Sequence, residues 1–340
     1  MKVLVTGGAG FIGSNLVHVL ADSRPEWQIV VLDALTYAGN LENIKSLLDN
    51  SRINFIKADI SKVEELEPVF STSKFDLVFH LAAESHVDRS IVSANEFVLT
   101  NVLGTQNLLD LALKYNVSRF VHISTDEVYG TLGPTGVFTE ETPLDPTSPY
   151  AASKASSDLL VLAMHKTHNM DTVVTRCTNN YGPYQFPEKL IPLFISNAIE
   201  NKNLPLYGDG TNVRSWIHVK DHAEALLVVA EKGKSGEVYN IGGPGSGEVN
   251  NLQVTKTILK ILNKPETLIK FVEDRKAHDL RYAVSIEKIS TKLGWSPKIN
   301  FDEGIKTTVD WYLNNNEWWR SVKSGKYQEF YELYYSKRLA

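Results

Sequence analysis

The residues best suited to chemistry lie near the middle of the chain. Tyr150 and Lys154 are four apart in a stretch of helical spacing, which sets both on one helical face. Of the fourteen tyrosines, only Tyr150 has a lysine four residues later. A free tyrosine ionises near pH ~10. An ammonium and a positive nicotinamide beside it would stabilise the phenolate and lower that value. Such a tyrosine takes a hydroxyl proton as hydride leaves for a dinucleotide. An ordinary i,i+4 surface contact is the plainer reading, and the pair's place after the fifth strand weighs against it. Asp126 and Glu127 form the second pair, in Ser124-Thr125-Asp126-Glu127-Val128-Tyr129-Gly130. Mutual repulsion keeps one of two adjacent carboxyls protonated, so one can act as acid and the other as base. Beside a ketone, the base can take an α proton while the acid protonates a departing hydroxyl. Neighbours in a regular strand point to opposite faces. Both acids therefore reach one substrate only if the backbone turns there, and Gly130 makes a turn plausible. On the residues alone, the competing reading is a solvated acidic turn.

These groups need a scaffold, and the first half of the chain reads as one. Short apolar runs at 3–5, 29–32, 53–56, 77–81, 120–123 and 173–176 alternate with helical stretches such as 11–20 and 97–113. That alternation predicts βαβ units, a parallel sheet with helices on both faces, and ligands beyond the carboxyl ends of the strands. Gly7, Gly10 and Gly13 follow the first strand in GxxGxxG spacing. Glycine permits a tight turn and close approach of a pyrophosphate, which the following helix N-terminus favours. Asp33 ends the next strand, where a carboxylate binds ribose hydroxyls and repels a 2′-phosphate. No arginine follows within Ala34-Leu35-Thr36, so NAD is expected over NADP. Asp59-Ile60 ends the third strand and is either an adenine flank or a cap for the next helix. The fold class expected is α/β: a Rossmann-like doubly wound parallel sheet with a smaller C-terminal α/β substrate-binding lobe.

Composition agrees. The chain has 340 residues, 43% hydrophobic and 22% charged, with a formal charge of -5. At roughly 150 residues per domain, two domains are expected: 1–180 for the dinucleotide and 181–340 for the substrate. The second half is richer in Pro, Gly and aromatic residues, and the run at 238–241 could return to the first sheet. Excess negative charge argues against nucleic acid or an anionic membrane as partner. The single cysteine, Cys177, makes neither an internal disulfide nor a thiolate cluster and fits a reducing compartment. Met1-Lys2 runs straight into a buried strand rather than a leader, so a cytoplasmic location is expected. His80, His86 and His278 lack metal-ligand spacing, His165 and His168 read as a polar helix face, and no metal is expected. The aromatic tail, with Trp311, Trp318, Trp319, Tyr327, Phe330 and Tyr331, is expected to pack on the body.

With T-G-G-A-G-F-I-G at 6–13, Y-A-A-S-K at 150–154 and N-N-Y-G-P at 179–183, the chain resembles the extended short-chain dehydrogenase/reductase family over nearly its whole length. Longer strings are more specific: D-A-L-T-Y-A-G-N at 33–40, L-A-A-E-S-H-V-D-R-S at 81–90, S-T-D-E-V-Y-G at 124–130 and N-N-Y-G-P-Y-Q-F-P-E-K-L-I-P at 179–192. They resemble the branch of that family that dehydrates dTDP-glucose at C4, C5 and C6. The resemblance implies Asp126 as acid, Glu127 as base at C5, Tyr150 as base at C4 with Lys154 beside it, and Thr125 helping to activate the C4 hydroxyl. For NAD it implies Gly7, Gly10, Phe11, Ile12, Gly13, Asp33, Leu35, Thr36, Asp59 and Ile60. Leu81, Ala82, Ala83, Thr100, Tyr150, Lys154 and Asn180 complete that set. Ser85, Thr125 and Asn179 would meet the sugar or diphosphate. Lys189, Leu190, Pro205, Tyr207, Arg214, Asn251, His278, Arg281 and Tyr282 would hold the nucleotide, with Arg214 and Arg281 able to clamp diphosphate oxygens.

Four departures from the family pattern touch that end: Leu280 stands where the family often has arginine, Lys276-Ala277 where it has a Pro-Gly turn, Ser215 where aspartate is common, and the loop 244–250 before Asn251 is slightly longer. The resemblance also implies a homodimer through a four-helix interface, using helices around 97–115 and 148–168. The rival readings are a dehydratase or epimerase of a UDP-, CDP- or GDP-sugar and, in another class, a non-catalytic NAD-sensing protein.

Overall fold

The computed structural model describes residues 1–244, 248–274 and 279–323. His278, Tyr327, Phe330 and Tyr331 lie outside the described residues. Twelve strands are described: β1 (Lys2–Thr6), β2 (Gln28–Asp33), β3 (Ile53–Lys57), β4 (Leu77–His80), β5 (Arg119–Thr125), β6 (Thr172–Cys177), β7 (Asn179–Tyr181), β8 (Leu204–Tyr207), β9 (Val213–His218), β10 (Val238–Ile241), β11 (Glu248–Asn250) and β12 (Ile269–Val272).

Seven of them form one sheet in the order β10-β6-β5-β4-β1-β2-β3, with every pairing parallel. A parallel sheet is covered on both faces, so its strands read as continuous apolar runs. Strand β1 shows this: Val3, Leu4 and Val5 are fully buried. Val3 and Val5 pack on one face with the helices Phe11–Ser23 and Val219–Lys232. Leu4 packs on the other with Val63–Thr72, Gly104–Lys114 and Pro149–His168. The strand order reverses between β1 and β4, and that switch point opens the crevice where ligands bind in such sheets.

The remaining strands build a smaller layer. Strands β11, β9 and β7 form one sheet, and β12 pairs with β8. The helices Leu190–Ile199, Asn251–Ile261 and Phe301–Asn314 bury Phe194, Ile258, Val309 and Tyr312 in a separate core. Trp319 is fully buried there, Trp311 and Trp318 pack beside it, and the Trp318 indole donates to Asn43 Oδ1 at 2.8 Å.

The stretch 97–113 is not one continuous helix. Val98–Leu103 is a π-helical turn, and the regular helix begins at Gly104. Apolar spacing does not distinguish the two forms, whereas side-chain hydrogen bonds do. Asn101 bonds both backbone groups of Glu84 and the Ser153 hydroxyl, at 2.9–3.0 Å. Those bonds tie the wide turn to the loop after β4 and to the helix carrying Tyr150. Such turns are common beside functional sites.

Candidate active site

One cavity of about 450 Å³ runs from the glycine loop to the smaller layer. At its first end, Gly7 has φ +69°, and a Cβ on it would lie 2.6 Å from the Ala82 nitrogen. A Cβ on Gly13 would lie 2.1 Å from the Gly7 carbonyl oxygen. Both positions therefore require glycine. Gly10 starts the helix Phe11–Ser23 without a side-chain cap, which leaves N–H groups for an anion. Asp33 is buried at the end of β2. Its Oδ2 accepts from Ala9 N at 3.0 Å and its Oδ1 from Leu35 N at 2.8 Å. Burial raises its pKa, and those hydrogen bonds oppose the rise. The bare cradle, the uncapped helix start and the carboxylate at the end of β2 fit a dinucleotide.

Gly7, Gly10, Phe11, Ile12, Gly13, Asp33, Thr36, Asp59, Ile60, Leu81, Ala82, Ala83 and Thr100 all line this cavity. Leu35 does not; it has φ +52°, and its backbone N–H holds Asp33 from behind. Asp59 does not cap the next helix, Val63–Thr72, which starts after Lys62 without a side-chain cap, because its carboxylate is used in the turn before it. Its Oδ1 accepts from the Ser61 N–H and hydroxyl at 2.9 and 2.8 Å, while the residue also lines the wall.

The chemical centre lies where β5 ends. Asp126–Tyr129 is a single 3-10 turn, closed by Gly130 at φ +86°. This turn brings both acids to the cavity, which a regular strand would not. The Thr125 hydroxyl donates to Asp126 Oδ1 and accepts from Glu127 N, both at 3.3 Å. Burial, and after it the charge of Glu127, pushes the Asp126 pKa up to about 8, against the pull of Arg214. The Asp126 Oδ2 is buried without a hydrogen-bond partner among the described residues. A protonated carboxyl aimed at a substrate hydroxyl would leave that atom in this state.

Tyr150 and Lys154 line the same cavity. Their helix is capped by Ser148, whose Oγ accepts from Ala151 N at 3.1 Å, and Pro149 opens its first turn. The Lys154 ammonium donates to the Ile123 carbonyl at 2.8 Å, and burial brings its pKa down to about 8. Burial and the charge of Glu127 hold the Tyr150 phenol well above its ordinary value, with Thr125 pulling it down. The protein's own groups thus do not deliver the lowered phenol pKa that the spacing suggested. Full burial of the ring outweighs the lysine, whose charge is directed to a backbone carbonyl.

Ser85, Asn179, Asn180, Lys189, Leu190, Pro205, Tyr207, Arg214, Asn251 and Tyr282 line the far part. Lys189 reaches across it and donates to the Ser85 carbonyl at 2.8 Å. The helix Leu190–Ile199 begins there without a side-chain cap. The Arg214 guanidinium lies 4.5 Å from the Tyr282 ring centroid and donates to the Asp279 carbonyl at 2.9 Å. Asn180 spends its side chain on the Thr178 carbonyl and on His222, at 2.9 and 2.8 Å.

Arg281 is not brought to this cavity. Its guanidinium forks onto the Glu248 carboxylate at 2.6 and 2.7 Å and onto the Gly136 carbonyl at 2.9 Å. Residue 281 bridges Val213 in extended backbone, so the alternation that points Tyr282 inward turns Arg281 outward. Leu280 is 68% exposed. His278 lies outside the described residues.

Sequence reasoning passed over several wall residues, among them Glu84, His86, Cys177, Gln185, Phe186 and Glu188. Burial pushes Glu188 up to about 7, opposed by Lys189 and Arg89. It sits inside the string at 179–192, so its place in that string was the available signal. Among the described residues, no group of three metal-ligating side chains occurs, and no helix is long and apolar enough to cross a membrane.

Comparison with known proteins agrees with this geometry. Residues 4–308 match the family model described as GDP-mannose 4,6 dehydratase. The dTDP-glucose 4,6-dehydratase of Neisseria meningitidis serogroup B is 52% identical, covering 96% of this chain and 97% of that protein. The crystal structure of the Bacillus anthracis dTDP-glucose 4,6-dehydratase in complex with NAD has a TM-score of 0.88 at 50% identity, covering 95% of this chain and 100% of that one. The Streptomyces venezuelae dTDP-glucose 4,6-dehydratase, crystallised with NAD and dTDP, has a TM-score of 0.91 at 48% identity and the same coverage. The chain belongs to the dTDP-glucose 4,6-dehydratases, within the extended short-chain dehydrogenase/reductases.

Proposed function

We propose that this chain is a hydro-lyase that converts dTDP-glucose to dTDP-4-dehydro-6-deoxy-glucose and water. The observation that carries the reading is the buried Asp126 carboxyl, held in the acid form with one unpartnered oxygen, in one cavity with Glu127, Tyr150 and Lys154. NAD held against Tyr150 and Lys154 would supply the hydride acceptor for C4 and the hydride donor for C6. With the positive nicotinamide of bound NAD adding the phenolate stabilisation that the protein's own groups lack, Tyr150 accepts the C4 hydroxyl proton while Thr125 orients that hydroxyl. Glu127 removes the C5 proton, made acidic by the C4 ketone, and Asp126 gives its proton to the C6 hydroxyl that leaves as water. Glu127 then returns its proton to C5 as hydride reaches C6; Tyr150 is left with the C4 hydroxyl proton and Asp126 without its own, and transfer of one proton from the first to the second through solvent restores both. The cofactor is held by the glycine loop and Asp33, whose carboxylate favours NAD over NADP. The diphosphate is held by Arg214, Lys189 and the start of the helix Leu190–Ile199.

We assign 1–180 to the NAD-binding lobe and 181–340 to the nucleotide-sugar lobe, with 219–232 and 238–241 returned to the first; the packing of the helix Val219–Lys232 on the seven-stranded sheet and the parallel pairing of β10 with β6 support that return. A homodimer through the helices around 97–115 and 148–168 is supported by the exposed side chains of Val98, Leu99, Leu103 and Leu159. A cytoplasmic location is supported by the single cysteine. The product is a precursor for deoxysugars such as rhamnose. The test is mass analysis of purified protein incubated with NAD and dTDP-glucose, then with UDP-glucose. Loss of one water with formation of a keto sugar from dTDP-glucose is the expected result. Faster turnover of UDP-glucose would move the assignment to a UDP-sugar enzyme, and no water loss from any nucleotide sugar would refute it.

A further inference from the structure

Behind the catalytic residues lies a buried polar chain that none of the steps above uses. It starts at Lys154, whose Nζ is 3.5 Å from His122 Nε2. That nitrogen is 3.4 Å from Asp158 Oδ1. The other carboxylate oxygen of Asp158 accepts from Arg176 Nε at 2.8 Å. Arg176 then donates to the Tyr129 hydroxyl at 2.9 Å and lies against that ring. Tyr129 donates in turn to Asn240 Oδ1 at 2.8 Å. His122 and Asp158 are fully buried and Arg176 is 3% exposed. A charged pair so deep in the protein costs desolvation free energy and is weak evidence for stability alone. Its two ends are informative. One is the lysine of the Tyr150 helix. The other is the last residue of the turn that carries Asp126 and Glu127.

We propose that Asp158 and Arg176 are positioning residues that lock the two catalytic pairs into one frame, Asp158 keeping Lys154 charged and Arg176 pinning the Asp126–Glu127 turn through Tyr129. The inference rests on the dehydratase reading given above. Lys154 faces His122 from β5, Cys177 from β6 and Asp158 from its own helix. His122 is neutral near pH 7, because burial, followed by the Lys154 charge, brings it down to about 4. The Cys177 thiol is neutral too, pushed up to about 12, mainly by burial. Asp158 is therefore the one anion beside the lysine among these groups. Burial works to raise the Asp158 pKa, and His122, Arg176 and Lys154 together outweigh it and hold it low. Removing that anion would leave Lys154 buried without an anion among these groups.

The test uses the NAD-loaded full chain with Asp158→Asn and, separately, Arg176→Lys. In Asp158→Asn, the Lys154 titration followed by NMR of lysine labelled at Cε should move down by about one pH unit or more. In a Glu127→Gln background, which isolates C4 oxidation, the pH limit of reduced-nicotinamide formation should move down with it. Arg176→Lys should leave that titration in place and slow water loss at least tenfold, with KM for dTDP-glucose within about threefold. An unchanged Lys154 titration in Asp158→Asn, or equal loss of both half-reactions in Arg176→Lys, would overturn the proposal. If either variant fails to fold, Tyr129→Phe keeps the ring and removes both hydrogen bonds of the Tyr129 hydroxyl, the one from Arg176 and the one to Asn240. It should slow elimination and spare oxidation, and wild-type behaviour would overturn the Arg176 assignment. The unmodified enzyme run alongside separates this from failure of the function itself, since an enzyme that releases no water fails before any variant is compared.

Discussion

The two ends of the cavity are built in opposite ways. At the cofactor end, the wall comes from successive strand ends of one parallel sheet, and its polar groups satisfy one another. Asp33 is held by Ala9 and Leu35, and Gly7 fits against Ala82 with no room for a methyl group. At the nucleotide end, Lys189, Arg214, Asn251 and Tyr282 come from segments far apart in sequence, and their cations lean on carbonyls and a ring. The first end is a chassis, where a small change disturbs the backbone. The second is an adjustable grip, where a change alters affinity and leaves the sheet intact. Between them stands Asp126, with an oxygen that no group among the described residues satisfies.

The sharpest break of this contrast is at the centre. Glu127→Gln should lower kcat by about 10² to 10⁴-fold, the usual contribution of a positioned acid or base, while NAD content and dTDP binding stay near normal. Turnover assays beside nucleotide titrations check this. Because the acid form of Asp126 is the working form and its pKa is about 8, turnover should fall as pH rises through that value. A rate that keeps climbing well above it would contradict the assignment.

The chassis is tested by Gly13→Ala, whose new Cβ would meet backbone at 2.1 Å. It should lose bound NAD and about 1–3 kcal/mol of stability, as overpacked sites do, read from cofactor content and Tm. The grip is tested by Arg214→Ala. Losing hydrogen bonds to a charged group costs about 1.5–3 kcal/mol, so KM for dTDP-glucose should rise about ten- to a hundredfold with Tm little changed. Asp33→Ala should weaken NAD by about tenfold on the same scale, and unchanged affinity would remove Asp33 from the cofactor site. The smallest effect is expected for Arg281→Ala. That guanidinium is committed to Glu248, and pairs near the surface are worth about 0–1 kcal/mol, so KM should change less than about threefold.

The same contrast decides what could be read without coordinates. The cofactor end is local: a strand, three glycines and an aspartate in order, each with a conformational or electrostatic reason. The acidic pair was legible as chemistry, but only the 3-10 turn at Asp126–Tyr129 brings both side chains to one cavity. Arg281 shows the opposite case. Its charge was visible in the sequence, whereas the strand parity set by its bridge to Val213 was not, and parity decides which neighbour faces the ligand. The wide turn at Val98–Leu103 was hidden for a similar reason, since it depends on what Asn101 bonds and not on apolar spacing. The raised Tyr150 pKa follows from burial, which an i,i+4 lysine does not report.

One sugar is oxidised, dehydrated and reduced within a single cavity. The direct measurement is to incubate the NAD-loaded protein with dTDP-glucose carrying deuterium at C4 and to locate the label in the product. The account predicts loss of one water and deuterium at C6 of the same molecule. Deuterium lost to solvent or kept at C4, or a product that has lost no water, would contradict it.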